Sequence, residues 1–175
     1  MIKSVFVTVE SKTPLLMHRF PLVPVEGIEK LTPEEQAEHS AYRMENGELY
    51  FPGINIQRAL IAGAVYSKGK GRASLQKSAA ACLMVDPEYI SLHTKTYILD
   101  ARAVVIPATK GRIVRYRPRL DDWTLTFNIE FDAMLITKPQ LNQIIIDTFQ
   151  RVGIGDFRPE KKGPFGRGIL TEFKD

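Results

Sequence analysis

From Lys3 to Glu10 the chain alternates apolar and polar positions, with Val5, Val7 and Val9 on one face and Phe6, Thr8 and Glu10 on the other. A period of two predicts a strand with one buried face. The alternation returns without exception from Trp123 to Phe131, where Trp123, Leu125, Phe127, Ile129 and Phe131 interleave with Thr124, Thr126, Asn128 and Glu130. Gly168 to Lys174 supplies a last strand, and Glu48 to Phe51 a brief one between the turn Glu45-Asn46-Gly47 and the breaker Pro52-Gly53.

Other segments carry the helical period. Ile56, Leu60, Ile61, Ala64 and Val65 recur at the spacing of one helix face, which predicts a core-facing helix over 55–67. A second helix is expected over 73–84, ending near Asp86-Pro87. Thr32-Pro33-Glu34-Glu35 offers a capping hydroxyl, proline at the first helical position and acids near the positive helix end, so a short polar helix should run over 33–44. Thr137 caps a helix over 138–152 that turns Leu141, Ile144, Ile145, Thr148 and Val152 to one side and stops at Gly153.

Residues 13–31 are proline-rich and have no period. Between Tyr89 and Arg119 the runs YISLH, ARAVVIP and RIVRYRPR read as short strands or a hairpin turning at Thr109-Lys110-Gly111. The order of elements predicts a single α+β domain of the split βαβ, ferredoxin-like kind. Two halves build one antiparallel sheet covered by helices on one face, with a basic hairpin or loop excursion around 67–119.

At 175 residues, 44% hydrophobic and 25% charged, the chain has globular composition, which argues against disorder and disulfide scaffolds. No apolar run approaches the ~20 residues of a membrane span, and MIKSVFVTVESK lacks a signal-peptide pattern, so a cytoplasmic location without membrane contact is expected. The single cysteine, Cys82, is expected to be a buried, inert thiol.

The formal charge of +4 is unevenly spread: residues 57–119 hold 12 basic against 3 acidic residues, while both flanking thirds are net acidic. A concentrated basic block suits a polyanion, and a solvated face is the plain alternative. The tail GIGDFRPEKKGPFGRG interleaves glycines with Arg158, Lys161, Lys162 and Arg167. Glycines such as Gly155 and Gly166 let backbone amides approach a ligand, and the cations complement phosphate. A P-loop is excluded, since this loop enters a strand and lacks Gly-Lys-Ser/Thr. The alternative is a turn that only tightens a helix-to-strand connection.

Three segments resemble the RAMP superfamily, the repeat-associated proteins of CRISPR effector complexes. GELYFPGINIQRALIAGA resembles its strand, Pro-Gly and helix; LTFNIEFD with the following helix resembles the second half of its RRM-like fold; GIGDFRPEKKGPFGRGILTEF resembles its C-terminal glycine-rich loop. The sequence departs from the family where Ile54, Asn55, Gln57 and Arg58 replace its usual Ser-Ser and Lys-Gly, and where EKKG lengthens the loop.

The resemblance implies a compact, ferredoxin-like/RRM-like protein that binds single-stranded RNA or DNA, with self-association or other effector subunits as partners and no cofactor. Candidate nucleic-acid contacts are Arg58, Lys68, Lys70, Arg72, Arg112, Arg115, Arg117, Gly155, Arg158, Lys161, Lys162, Gly166 and Arg167, with Tyr66 and Tyr116 as stackers. No catalytic or metal-ligating residue is assigned: His18, His39 and His93 are isolated in sequence, and the pairs Glu34-Glu35 and Asp121-Asp122 have ordinary helix-start and strand-start explanations. The competing readings are a metal-independent endoribonuclease of the RAMP class, which would need a histidine at the RNA 2′-hydroxyl, and a non-catalytic phage protein-interaction or virion-associated module.

Overall fold

The computed structural model describes all 175 residues. In chain order the elements are strand β1 (Ile2–Ser11), strand β2 (Leu15–Leu16), helix α1 (Pro33–His39), strand β3 (Tyr50–Pro52), helix α2 (Gly53–Gly63), helix α3 (Gln76–Cys82), strand β4 (Met84–Asp86) and strand β5 (Tyr89–Ser91). They continue as strands β6 (Ile98–Val105), β7 (Arg112–Leu120) and β8 (Thr124–Asp132), helix α4 (Lys138–Asp147) and strand β9 (Gly168–Lys174).

The main sheet has the order β4-β8-β1-β9, with every neighbouring pair antiparallel. Traced along the chain, β1, α2, β4, β8, α4 and β9 make two strand–helix–strand halves, an α+β arrangement compatible with the ferredoxin-like fold. Register follows the apolar alternation: Val5 lies opposite Ile129, Val7 opposite Phe127 and Val9 opposite Leu125, all buried. Ile56 and Leu60 from α2 and Leu141, Ile144 and Ile145 from α4 complete the same core. Each such side chain contributes roughly 1.5–3 kcal/mol on burial.

The caps form as the sequence predicts, Thr32 Oγ1 accepting from the Glu35 amide and Thr137 Oγ1 from the Gln140 amide, and in both helices the third residue's side chain bonds back to complete a capping box. Several boundaries differ. Helix α1 stops at His39 rather than 44, because Ser40 and Ala41 are buried and Arg43 bridges back to Leu49. Helix α2 ends at Gly63, where an added Cβ would overlap the Thr148 side chain, and a 3-10 turn over Ala64–Tyr66 follows. Val65, expected in the core, is therefore exposed. Helix α3 ends at Cys82 instead of 84, since Met84–Asp86 is claimed as β4 by pairing with β8. Cys82 is half-buried against the core rather than sealed within it. The helix expected over 138–152 is α-helical to Asp147 and widens to a π turn over Thr148–Val152, where Thr148 Oγ1 donates to the Ile144 carbonyl at 2.7 Å.

A second sheet, β2-β7-β6, carries the expected hairpin, and β3 pairs with β5. No helix is long and apolar enough to cross a membrane.

Candidate nucleic-acid interface

The segment 12–18 leaves β1 and is stitched on both sides. The Met17 amide donates to the Pro118 carbonyl of β7, while the Lys12 and Thr13 amides donate to the Arg167 carbonyl and the Gly166 amide donates to Pro14. The Asp156 amide in turn donates to the Leu16 carbonyl. The glycine loop, residues 153–167, and the base of the β6–β7 hairpin are thereby held on opposite flanks of one short segment whose last residue is His18.

Glycine in this loop answers to the chain itself. Gly166 sits at φ +75°, and a Cβ there would overlap the Ile154 carbonyl; Gly155 sits at φ +76°, with a Cβ 2.5 Å from the Leu16 carbonyl. On its Cβ side each of these glycines permits a close approach of the polypeptide to itself. Between them Phe157 takes φ +49°, and its amide donates to Asp156 Oδ1 at 3.0 Å.

Asp156 is the hinge of the arrangement. Its Oδ2 accepts from His18 Nδ1 at 3.2 Å and from Arg117 Nη1, whose side chain is buried. Burial opposes ionisation of Asp156, but the His18 hydrogen bond and the Arg117 charge outweigh it and hold the carboxyl well below the usual carboxylate range. The Arg117 Nε is buried without a partner. Nearby, the buried Asp100 accepts from Arg102 Nε at 2.9 Å and from Arg119 Nη1 at 3.5 Å, and the Arg102 guanidinium stacks over Phe165 at 4.5 Å.

Two cavities open on either side of His18 and Asp156. One, about 430 Å³, lies between α2 and the glycine loop and is lined by Tyr42, Phe51, Asn55, Arg58, Gly153, Gly155, Arg158 and Glu160 among others. The other, about 480 Å³, lies against the hairpin and is lined by Arg102, Arg115, Arg117, Phe157 and Lys161 with several apolar neighbours. Both cavities count His18 and Asp156 among their walls, so they lie side by side across that pair, and the two together are the candidate groove.

Of the residues expected to contact nucleic acid, the groove brings together Arg58, Arg115, Arg117, Gly155, Arg158 and Lys161. Arg158 is partly engaged, its Nη1 donating to the Gly155 carbonyl at 3.0 Å with Glu160 at 3.6 Å. Lys68, Lys70, Arg72, Arg112, Lys162, Gly166 and Arg167 line neither cavity. Tyr66 lies under the Arg151 guanidinium at 4.9 Å, and Tyr116 is half-buried on β7.

Sequence reasoning missed Tyr42, Asn55, Arg102 and the His18–Asp156 pair. No local signal joins the last two, which are 138 positions apart. The sheet face away from the helices carries Thr8, Glu10, Thr126, Asn128, Glu130 and Glu172, polar and acidic groups unsuited to a phosphate chain. Its aromatic, Phe6, lies under the Lys174 ammonium at 4.9 Å.

Comparison with known proteins bears on the fold. No protein-family model matches the chain, and no curated protein does. Among solved structures, a chain in the cryo-EM structure of the Type III-B Cmr-beta bound to cognate target RNA superimposes with a TM-score of 0.50 at 10% identity. The match covers 97% of this chain and 60% of that one, so this chain spans about three-fifths of its neighbour's length and is similar to it in fold.

Proposed function

We propose that the protein is a RAMP-type binder of single-stranded nucleic acid, in the first place RNA, held in the groove that crosses the glycine loop. The observation carrying this reading is convergence. Arg58 from α2, Arg158 and Lys161 from the loop, and Arg102 and Arg115 from the hairpin reach one groove from three separate parts of the chain. Cations alone would suit any polyanion, but the half-buried Tyr42 in the wall adds a π-face for a base. The fold shared with a chain of an RNA-bound CRISPR complex supports the same reading.

The protein binds without cutting, and it joins copies of itself or other effector subunits along the strand. Exposed apolar residues of the hairpin outside the cavity, Leu99, Ala101 and Val114, support the protein contact. Fluorescence anisotropy with labelled single-stranded RNA over a range of salt concentrations tests the binding: affinity should fall steeply with salt. Affinity too weak to measure at low salt sinks the proposal.

One observation favours a second reading, a metal-independent endoribonuclease: His18 is held by a carboxylate, as a general base would be. That reading requires metal-free cleavage of RNA that disappears in His18→Ala.

A further inference from the structure

The groove's cations explain attraction to any phosphate chain, but they say nothing about which sugar it carries. Guanidinium and ammonium groups only donate hydrogen bonds, and phosphate oxygens, common to RNA and DNA, only accept them. The two nucleic acids differ at the 2′-hydroxyl, which can donate. A group that reads it as a donor must be an acceptor facing the groove, and preferably a neutral one, since a free carboxylate would repel the phosphates beside it.

The groove's two carboxylates are both turned to the protein's own cations. Asp156 accepts from His18, Arg117 and the Phe157 amide, and Glu160 lies 3.6 Å from Arg158. His18 remains. Its Nδ1 faces Asp156 at 3.2 Å, and its Nε2 has no partner within the chain. Asp156 is held in its ionised, acceptor-only form, so the bond between them requires the proton on Nδ1. In the neutral imidazole this fixes the tautomer and leaves the Nε2 lone pair free. The side chain is 38% exposed and forms part of both cavity walls, so it stands at the boundary that a strand occupying both cavities would span.

We infer that His18, oriented by Asp156, is the groove's sugar reader: its Nε2 accepts a hydrogen bond from a ribose 2′-hydroxyl and so favours RNA over DNA of the same sequence. The inference rests on the nucleic-acid-binding reading above and adds the sugar to it. His18 is a specificity residue and Asp156 its positioning partner.

The test compares three single strands of one sequence: RNA, DNA and 2′-O-methyl RNA, which keeps the sugar oxygen but has no donor there. The wild-type protein should bind RNA about five- to tenfold more tightly than either of the others, the worth of one hydrogen bond. In His18→Ala the RNA affinity should drop to that of DNA while DNA affinity stays within about twofold. His18→Lys, which substitutes a cation for the acceptor, should tighten all three strands alike and erase the preference. Equal affinity of wild type for RNA and 2′-O-methyl RNA overturns the sugar assignment while leaving the binding reading intact. So does an equal loss on all three strands in His18→Ala, because that pattern marks an interaction blind to the sugar. Failure of the wild type to bind any of them removes both readings.

Discussion

Arg117 Nη1 donates to Asp156 Oδ2, and this pair fastens the base of the basic hairpin to the glycine loop. Arg117 is buried, Asp156 is about one-third exposed, and no second carboxylate is hydrogen-bonded to Arg117. Removing the arginine takes the buried opposing charge from a carboxylate that keeps only His18 and the Phe157 amide as partners. Arg117→Ala should therefore destabilise the protein by about 2–4 kcal/mol, somewhat less than for a fully buried pair because water reaches Asp156. Arg117→Met, which keeps the volume, should recover part of the loss only in combination with Asp156→Asn. Urea denaturation of the three variants measures this, and wild-type stability in Arg117→Ala would show that the pair is idle.

The same pair makes stability depend on pH in one direction. The carboxyl of Asp156 titrates lower in the folded chain than in the unfolded one, where it is close to ~3.9. Its contribution is accordingly complete above that unfolded value and is lost as the pH falls below it toward the folded one. Wild type and Asp156→Asn should differ in melting temperature by a constant amount near neutrality and converge below about pH 4. Parallel curves down to lower pH would contradict the shift.

At Gly166 the chain leaves no room. With φ at +75° and the Ile154 carbonyl where a Cβ would stand, Gly166→Ala should cost about 2 kcal/mol or more, and Gly166→Val should fold poorly. Thermal melting reads this directly. Unchanged stability together with weakened RNA binding would instead place the ligand, not Ile154, against this glycine.

Two triple variants separate the groove from the loop at 68–72. Arg58→Ala, Arg115→Ala and Lys161→Ala together should flatten the salt dependence of RNA binding by up to ~0.7 for each phosphate left without its cation. Lys68, Lys70 and Arg72, which line neither cavity, should change it less when neutralised together. The reverse ranking, read from the slope of affinity against salt, would move the strand to the 68–72 loop.

The alternation in β1 and β8 was legible because each strand has one face in the core, and a one-residue slip would have exposed Val7 or Phe127. The caps at Thr32 and Thr137 and the hairpin were legible for equally local reasons. Strand β4 was not: AAACLMV is too uniformly apolar to show a period, and only pairing with β8 decides where the helix stops. The groove was half-legible. Charge and glycine content pointed to its loop, but which cations share a wall depends on packing between distant segments, and His18 gives no hint of Asp156. The block at 68–72 stands out most in composition, yet the fold sets it outside the groove.

The stitching of residues 12–18 also sets an order of events in time. This segment lies far upstream of its partners in the glycine loop, Asp156, Gly166 and Arg167, and is made well before them. Pairings so far apart in the chain close late and slowly. A polypeptide emerging from the ribosome has the walls contributed by α2 and the hairpin long before it has a floor between them. The two cavities gain their shared wall only once the glycine loop has followed, so that the groove and the pairing of β9 with β1 are completed together.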